Sequence, residues 1–309
     1  MSFRNILLIL LGITVILSLS LGYQRWIDRA GLHIEHFLET ILNEKCYINK
    51  LKLDLPLRLE LDGIGIGDYA FIERAYIYPR LSISFFKKQP IIFTLKILNP
   101  KVRLTGTDSK WYPDIHFLDT AKPFMFENGL ASVFNITDIY IINGSLIYDL
   151  GSGRLLEFMD IKGDIRNFDA YLYKKSPLYF SATSSLKNYN TDVSATIGLD
   201  GTMALNGEID AFLRLRDVSI FTLGNFFSKY LEGLIKNGKV DIDSKIRFSK
   251  NFLVADCNLE SRDLKLEKEI DKNIGTPIVA SFLLLVNFEK NLVKIKALKG
   301  NFLKVLGIR

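Results

Sequence analysis

Side chains able to do chemistry are few and scattered: the 309-residue chain holds 3 His and 2 Cys. His33 and His36 stand three apart in a stretch of helical spacing, with Glu39 and Cys46 following. A bound transition metal needs three or four convergent ligands. No second cluster accompanies this one, so the two histidines read as solvated or interfacial. Cys46 and Cys257 allow two readings, a disulfide in an oxidising compartment or two buried free thiols. Gly63-Ile64-Gly65-Ile66-Gly67 lacks the spacing and the following helix of a phosphate loop, and reads as a turn. There is no serine nucleophile elbow, and no histidine stands where a triad would use it. Asp and Glu alternate with apolar residues, as on the wet face of strands, and single out no catalytic pair. Asn135-Ile136-Thr137 and Asn143-Gly144-Ser145 match the glycosylation triplet, a frequent chance match that matters only in a eukaryotic secreted protein. The chain therefore reads as no enzyme, with no cofactor and no metal.

The composition leaves room for a large folded body. Hydrophobic residues make up 48% and charged residues 24%, which excludes wholesale disorder and low-complexity chains. One uncharged apolar run, residues 6–23, is flanked by Arg4 and Arg25. It is long enough to span a bilayer once, and a polytopic protein would need several. Its length, with Tyr23, Arg25, Trp26 and Arg29 at the membrane interface, predicts a retained anchor. The rival is a signal peptide cut near Ser18-Leu19-Ser20 or Ser20-Leu21-Gly22. Charge counts leave the orientation open, because long domains translocate largely regardless of flanking charge. The net charge is +6. With Phe85-Phe86-Lys87-Lys88 and Tyr173-Lys174-Lys175, it suits an anionic membrane surface or lipid head groups. Nucleic-acid binding would need a denser basic stripe.

The rest of the chain is organised by hydrophobic period. Residues 1–24 form the expected anchor. Ile34, Phe37, Leu38, Ile41 and Leu42 recur at helical spacing and predict an amphipathic helix over 25–45. From Tyr47 the period becomes two, so 46–111 reads as a first β segment. Residues 112–133 lose the period, carry Pro113, Pro123 and Gly129, and read as a loop or lid. Alternation returns over 134–309, a second β segment interrupted by a helix near 222–236. There Leu223, Phe226, Phe227, Tyr230, Leu231, Leu234 and Ile235 form a stripe that ends at an Asn237-Gly238 cap. A weak repeat places glycine at expected strand starts, at Gly144, Gly163, Gly207, Gly238 and Gly300.

Three stretches carry a family resemblance. The first is the anchor, the short helix and then Tyr47-Ile48-Asn49-Lys50-Leu51-Lys52-Leu53 as an opening strand. The second runs from Leu81-Ser82-Ile83-Ser84-Phe85-Phe86 through Phe93-Thr94-Leu95-Lys96-Ile97-Leu98-Asn99-Pro100-Lys101-Val102-Arg103-Leu104. The third is Ile139-Tyr140-Ile141-Ile142-Asn143-Gly144-Ser145-Leu146, with the later Phe158-Met159-Asp160-Ile161-Lys162-Gly163. Together they resemble the AsmA-like superfamily of bacterial envelope proteins, which includes TamB and YhdP. The resemblance covers most of the first half and is one of style in the second. It implies an inner-membrane anchor and a periplasmic body. That body would be a long curled antiparallel sheet, groove-like or taco-like, with two short helices. The apolar trough of the sheet would carry phospholipid between membranes.

The expected fold class is mainly β, and the expected trough lining is Leu51, Leu53, Leu55, Leu57, Leu59, Leu61, Phe93, Leu95, Ile97, Val102 and Leu104. The alternative packs the same residues into a closed sandwich core. About 20 strands at 4.8 Å would reach at most near 100 Å, so other envelope proteins extending the sheet are possible partners. The AsmA-like type II secretion component N has a similar size and layout, and makes an assembly role the rival function.

Overall fold

The computed structural model of the chain describes residues 29, 31–32, 34–36, 38–39, 44–54, 58–79, 92–105, 135–149, 155–168, 175–187, 195–219, 235–249, 251–266, 278–287, 289–290 and 292–300. The apolar run 6–23, Tyr23, Arg25, Trp26, the expected lid 112–133, Leu55 and Leu57 lie outside them. No helix among the described residues is long and apolar enough to cross a membrane.

Alternating sequence becomes strand wherever it is described. The strands are β1 (Cys46–Asp54), β2 (Arg58–Ile66), β3 (Ala70–Pro79), β4 (Ile92–Thr105), β5 (Asn135–Asp149), β6 (Leu155–Arg166) and β7 (Leu178–Lys187). They continue as β8 (Ala195–Met203), β9 (Ile209–Ser219), β10 (Ile235–Ser249), β11 (Phe252–Leu266), β12 (Ile278–Asn287) and β13 (Leu292–Gly300). All thirteen join one sheet in sequence order, from β1 at one edge to β13 at the other. No pairing joins the two edges, so the sheet is open. Among the described residues, extensive strand contacts run only between hydrogen-bonded neighbours, so no described strand forms a second layer on its face. The described strands thus form the one large sheet expected, rather than the two layers of the alternative sandwich. Thirteen strands at about 4.8 Å span roughly 58 Å from edge to edge, less than the 100 Å expected from about 20 strands.

Every pair is antiparallel except β4 and β5, which are parallel. The two expected β segments meet along this pair and form one sheet. A parallel neighbour needs a crossover between opposite ends of the strands, and residues 106–134, between the two, lie outside the described residues.

Where the sequence suggested breaks, the strands continue through a change of phase. Along β2 the apolar side chains stand at Leu59 and Leu61, then at Ile64 and Ile66. Two residues, Asp62-Gly63, separate the sets where strict alternation allows one. Leu98-Asn99 does the same in β4, Ile142-Asn143 in β5, Met159-Asp160 in β6 and Arg216-Asp217 in β9. The second residue of each pair has a left-handed backbone, with φ of 63° at Gly63, 49° at Asn99, 56° at Asn143, 52° at Asp160 and 58° at Asp217. Asn, Asp and Gly are the residues that tolerate this conformation. Beside Asn143, Asp160 and Asp217 the register shifts, as at β-bulges, which bend the strand and increase its twist, whereas Gly63 and Asn99 change the phase with the register kept. All five keep both halves of a long strand apolar on the same face.

The left-handed residues of β2, β4 and β5 line up across the strands. The Asn99 amide donates to Glu73 at 2.8 Å, and the Asn143 amide donates to Asn99 at 2.8 Å. Pro100 has no N–H to offer, and it falls where the pairing of β4 with β5 is interrupted, between Leu98 and Lys101. On β9 the Asp217 N–H donates to the Asp241 carboxylate at 2.8 Å, and Arg216 meets Asp243 at 2.6 Å. A polar seam thus follows the left-handed residues.

Several expectations need correcting. Gly63 and Gly65 lie inside β2, and only Gly67 belongs to the turn after it. Gly65 must stay small because a Cβ there would sit 2.0 Å from the Tyr47 ring. Gly144, Gly163 and Gly238 are interior to strands rather than at their starts. Ile235, Asn237 and Gly238 belong to β10, so the expected helical stripe and cap do not extend there. β-branched Ile235 and Val240, and the partner strand β11, favour extended backbone at that point. The rest of that stripe lies outside the described residues.

A short helix, α1, takes in the described residues 29, 31–32, 34–36 and 38–39. Its Ile34 and Leu38 pack against the buried cluster of Leu51, Leu59, Leu61, Ile64 and Ala75. Arg29 lies at its start and is exposed.

Candidate functional site

Residues paired across a sheet share a face, so the register shows what each face presents. From β1 to β7, one ladder reads Leu53, Leu59, Ile77, Leu95, Ile139, Ile165 and Phe180. It continues to β13 through Gly201, Ala211, Ile246, Ala255, Leu284 and Ile295. Every strand contributes, and no member is polar. The Phe180 ring fills the space over Gly201, where an added Cβ would lie 2.8 Å from it and 2.5 Å from the Asp210 carbonyl oxygen.

A second ladder runs beside the first. It reads Leu51, Leu61, Ala75, Ile97, Ile141 and Gly163, then Ala182, Leu199, Leu213, Ser244, Cys257 and Phe282. Its one hydroxyl, on Ser244, is 3.2 Å from the Cys257 thiol and therefore satisfied within the row. Beyond the bulges, Val102, Leu146, Phe158, Leu186 and Ala195 extend the apolar surface, and Leu104 lies opposite Tyr148.

The other face is wet and charged. The ladder one residue over begins Lys52, Glu60, Tyr76, Lys96, Tyr140 and Asp164. Lys52 bridges Glu60 at 2.9 Å and Asp62 at 2.8 Å, and Arg74 meets Asp62 at 2.9 Å. Burial pushes the Asp62 carboxyl up, but the hydrogen bonds from Lys52 and Arg74 outweigh it and hold the group below the ordinary carboxylate range. Farther along, Arg103 pairs with Asp149 at 2.8 Å and Arg247 with Asp210 at 3.0 Å.

The apolar face is only partly shielded. Among the described residues of this face, Leu51, Leu59, Leu61, Ala75, Ile139 and Ala255 are buried. Leu53, Ile77, Leu95, Ile97, Ile141, Phe180, Leu199 and Leu213 remain half-buried. A closed two-layer core would bury such side chains on both sides.

Of the residues expected to line a trough, the structure brings Leu51, Leu53, Leu59, Leu61, Phe93, Leu95 and Ile97 to this face. Val102 and Leu104 join them because Asn99 shifts the phase. The sequence reading missed the lining from β5 to β13. Its alternation was visible, as in Ile197-Gly198-Leu199 and Ala211-Phe212-Leu213, but glycine and alanine at ladder positions weakened it.

The sparse chemical groups have structural roles. Glu35 accepts a hydrogen bond from the Ile48 N–H at 2.6 Å, and Glu39 accepts one from Cys46 N–H at 3.2 Å. These carboxylates stand one helical turn apart, and they cover backbone donors of the edge strand β1. Glu39 is thereby engaged in docking α1, and His36 is exposed; His33 lies outside the described residues. Cys46 and Cys257 are free and buried. They stand on β1 and β11, ten strands apart, far beyond disulfide reach. Burial raises both thiols above the ordinary cysteine value.

In comparisons with protein-family models, curated proteins and solved structures, the chain has no match.

Proposed function

We propose that the chain is an inner-membrane-anchored periplasmic protein of AsmA-like type. In this reading it handles or transports phospholipid, in support of outer-membrane biogenesis, through an apolar β-groove. The observation that carries this reading is the ladder from Leu53 to Ile295, unbroken by any polar side chain over thirteen strands. Register shifts beside Asn143, Asp160 and Asp217 favour the bending that a groove needs, and the ion pairs of the other face suit water. Taking a 16-carbon acyl chain from a bilayer into water costs about 13 kcal/mol. A continuous apolar row removes most of that cost along its length, and the head group remains in water at the lip.

Photo-crosslinking amino acids at Leu53, Leu95 and Leu199 test the reading. Each should yield a phospholipid adduct in mass spectrometry, whereas the same group at Lys101 or Lys162, exposed residues of the strands, should not. Adducts to protein alone would overturn it. Recovery of a secretion or envelope complex without lipid would favour the assembly role instead.

A further inference from the structure

The +6 net charge is not spread over the chain. From residue 290 onward stand Lys290, Lys294, Lys296, Lys299, Lys304 and Arg309, with no Asp or Glu. Removing these 6 from the 40 basic residues leaves 34 against 34 acidic ones. Residues 1–289 are therefore neutral in sum, and the surplus lies on β13 and the residues on either side of it.

The structure gives this end of the sheet a second distinction. Elsewhere one face is apolar and the other charged. On β12, Leu283 and Leu285 occupy the charged face, opposite Lys296 and Lys294 of β13. Phe252, 53% exposed, and Leu292, 40% exposed, flank Asn287 on that same face. The apolar face ends at Ile295, 63% exposed. β12 thus carries apolar side chains on both faces, and β13 sets lysines beside them on one. Among the described residues, no carboxylate pairs with Lys294, Lys296 or Lys299, unlike Arg103, Arg214 or Arg247.

We propose that the β13 end of the sheet docks on an anionic bilayer surface. Its lysines would meet lipid phosphates, and Ile295, Leu292 and Phe252 would enter the interface. Exposed apolar side chains mixed with unpaired lysines match the chemistry of such a surface. The same lysines disfavour a partner strand, because charged edges resist sheet extension. The opposite edge differs, since Glu35 and Glu39 cover β1. The inference rests on the lipid-handling reading and names the end at which the groove meets a membrane.

Vesicle tethering tests it with the full chain. The protein is reconstituted in phosphatidylcholine vesicles and mixed with a second population, made either of phosphatidylcholine alone or with about one-third phosphatidylglycerol. Tethering should require the anionic population and fall steeply in 0.5 M salt. Each lysine near an anionic surface is worth about fivefold, so K294Q/K296Q/K299Q should weaken tethering about a hundredfold. The control K101Q/K162Q, also at exposed positions, should tether normally.

Equal tethering of both populations, or an unaffected triple variant, would overturn the proposal. So would competition by millimolar inorganic phosphate, or binding of polyglutamate or RNA as tight as that of the anionic vesicles. If tethering fails while lipid adducts persist at Leu53 and Leu95, the docking inference alone falls. If adducts fail and tethering persists, the groove reading falls.

Discussion

Replacing Asn143 tests whether the bulge seam holds the apolar face together. Asn143 has φ of 56° and donates to Asn99 at 2.8 Å. Asn143→Val puts a β-branched side chain into a left-handed backbone, at a cost of about 1–2 kcal/mol. It also removes an exposed hydrogen bond worth about 0.5–1 kcal/mol. The sum, about 1.5–3 kcal/mol, should appear locally, because each strand touches little beyond its neighbours. Asn143→Gly loses the same hydrogen bond but accepts the backbone, and should cost only about 1 kcal/mol. Hydrogen exchange read by mass spectrometry over 135–166 is the suitable assay. At about 1.4 kcal/mol per tenfold change, the valine variant should speed exchange there roughly 10- to 150-fold, and the glycine variant about fivefold. If the two variants exchange alike, or the valine variant matches wild type, the left-handed bulge is not what sets the phase.

Other consequences follow from the same structure. Glu35→Ala and Glu39→Ala should each expose an edge donor, cost about 1–3 kcal/mol of local stability, and speed exchange at Ile48 and Cys46; unchanged protection would mean that α1 does not cap the edge. Asp62 lies below its unfolded value and Lys52 above its own. The Asp62 contribution is therefore present above about pH 4 and lost as pH falls further, while that of Lys52 is present below about pH 10.5 and lost above it. Amide exchange in β1–β3 should be slowest between those limits, and a flat profile from pH 3 to 7, after correction for intrinsic exchange, would contradict the pairing. Alkylation of native protein should leave Cys46 and Cys257 largely unmodified until denaturant is added, and non-reducing gels should show no intramolecular bridge.

Much of the fold was legible because the sheet is built by alternation alone. Leu51-Lys52-Leu53 and Leu59-Glu60-Leu61 announce strands with one wet face, and β1 and β2 follow them. Continuity was harder to read. Asn99-Pro100 looks like a gap between strands, whereas β4 runs through it and flips its phase. Gly63-Ile64-Gly65 looks like a turn for the same reason. A period-two reading registers a two-residue step as an interruption, and only the partner strand shows that pairing resumes. The lining beyond β5 was faint because Gly163, Ala182 and Gly201 serve the ladder through small size and an aromatic neighbour rather than through hydrophobicity. The charge at the β13 end was countable from the beginning. Its meaning depended on Leu283 and Leu285 sharing a face with the lysines.

The strict order from β1 to β13 also governs how such a chain is made. With each strand pairing to the one before it, a growing polypeptide can add strands singly, like courses on a wall. Only the parallel joint between β4 and β5 requires the chain to return across the sheet before pairing continues. That joint is the expected slow step of folding. On either side of it, hairpins can be gained or lost in pairs without disturbing the alignment of those that remain.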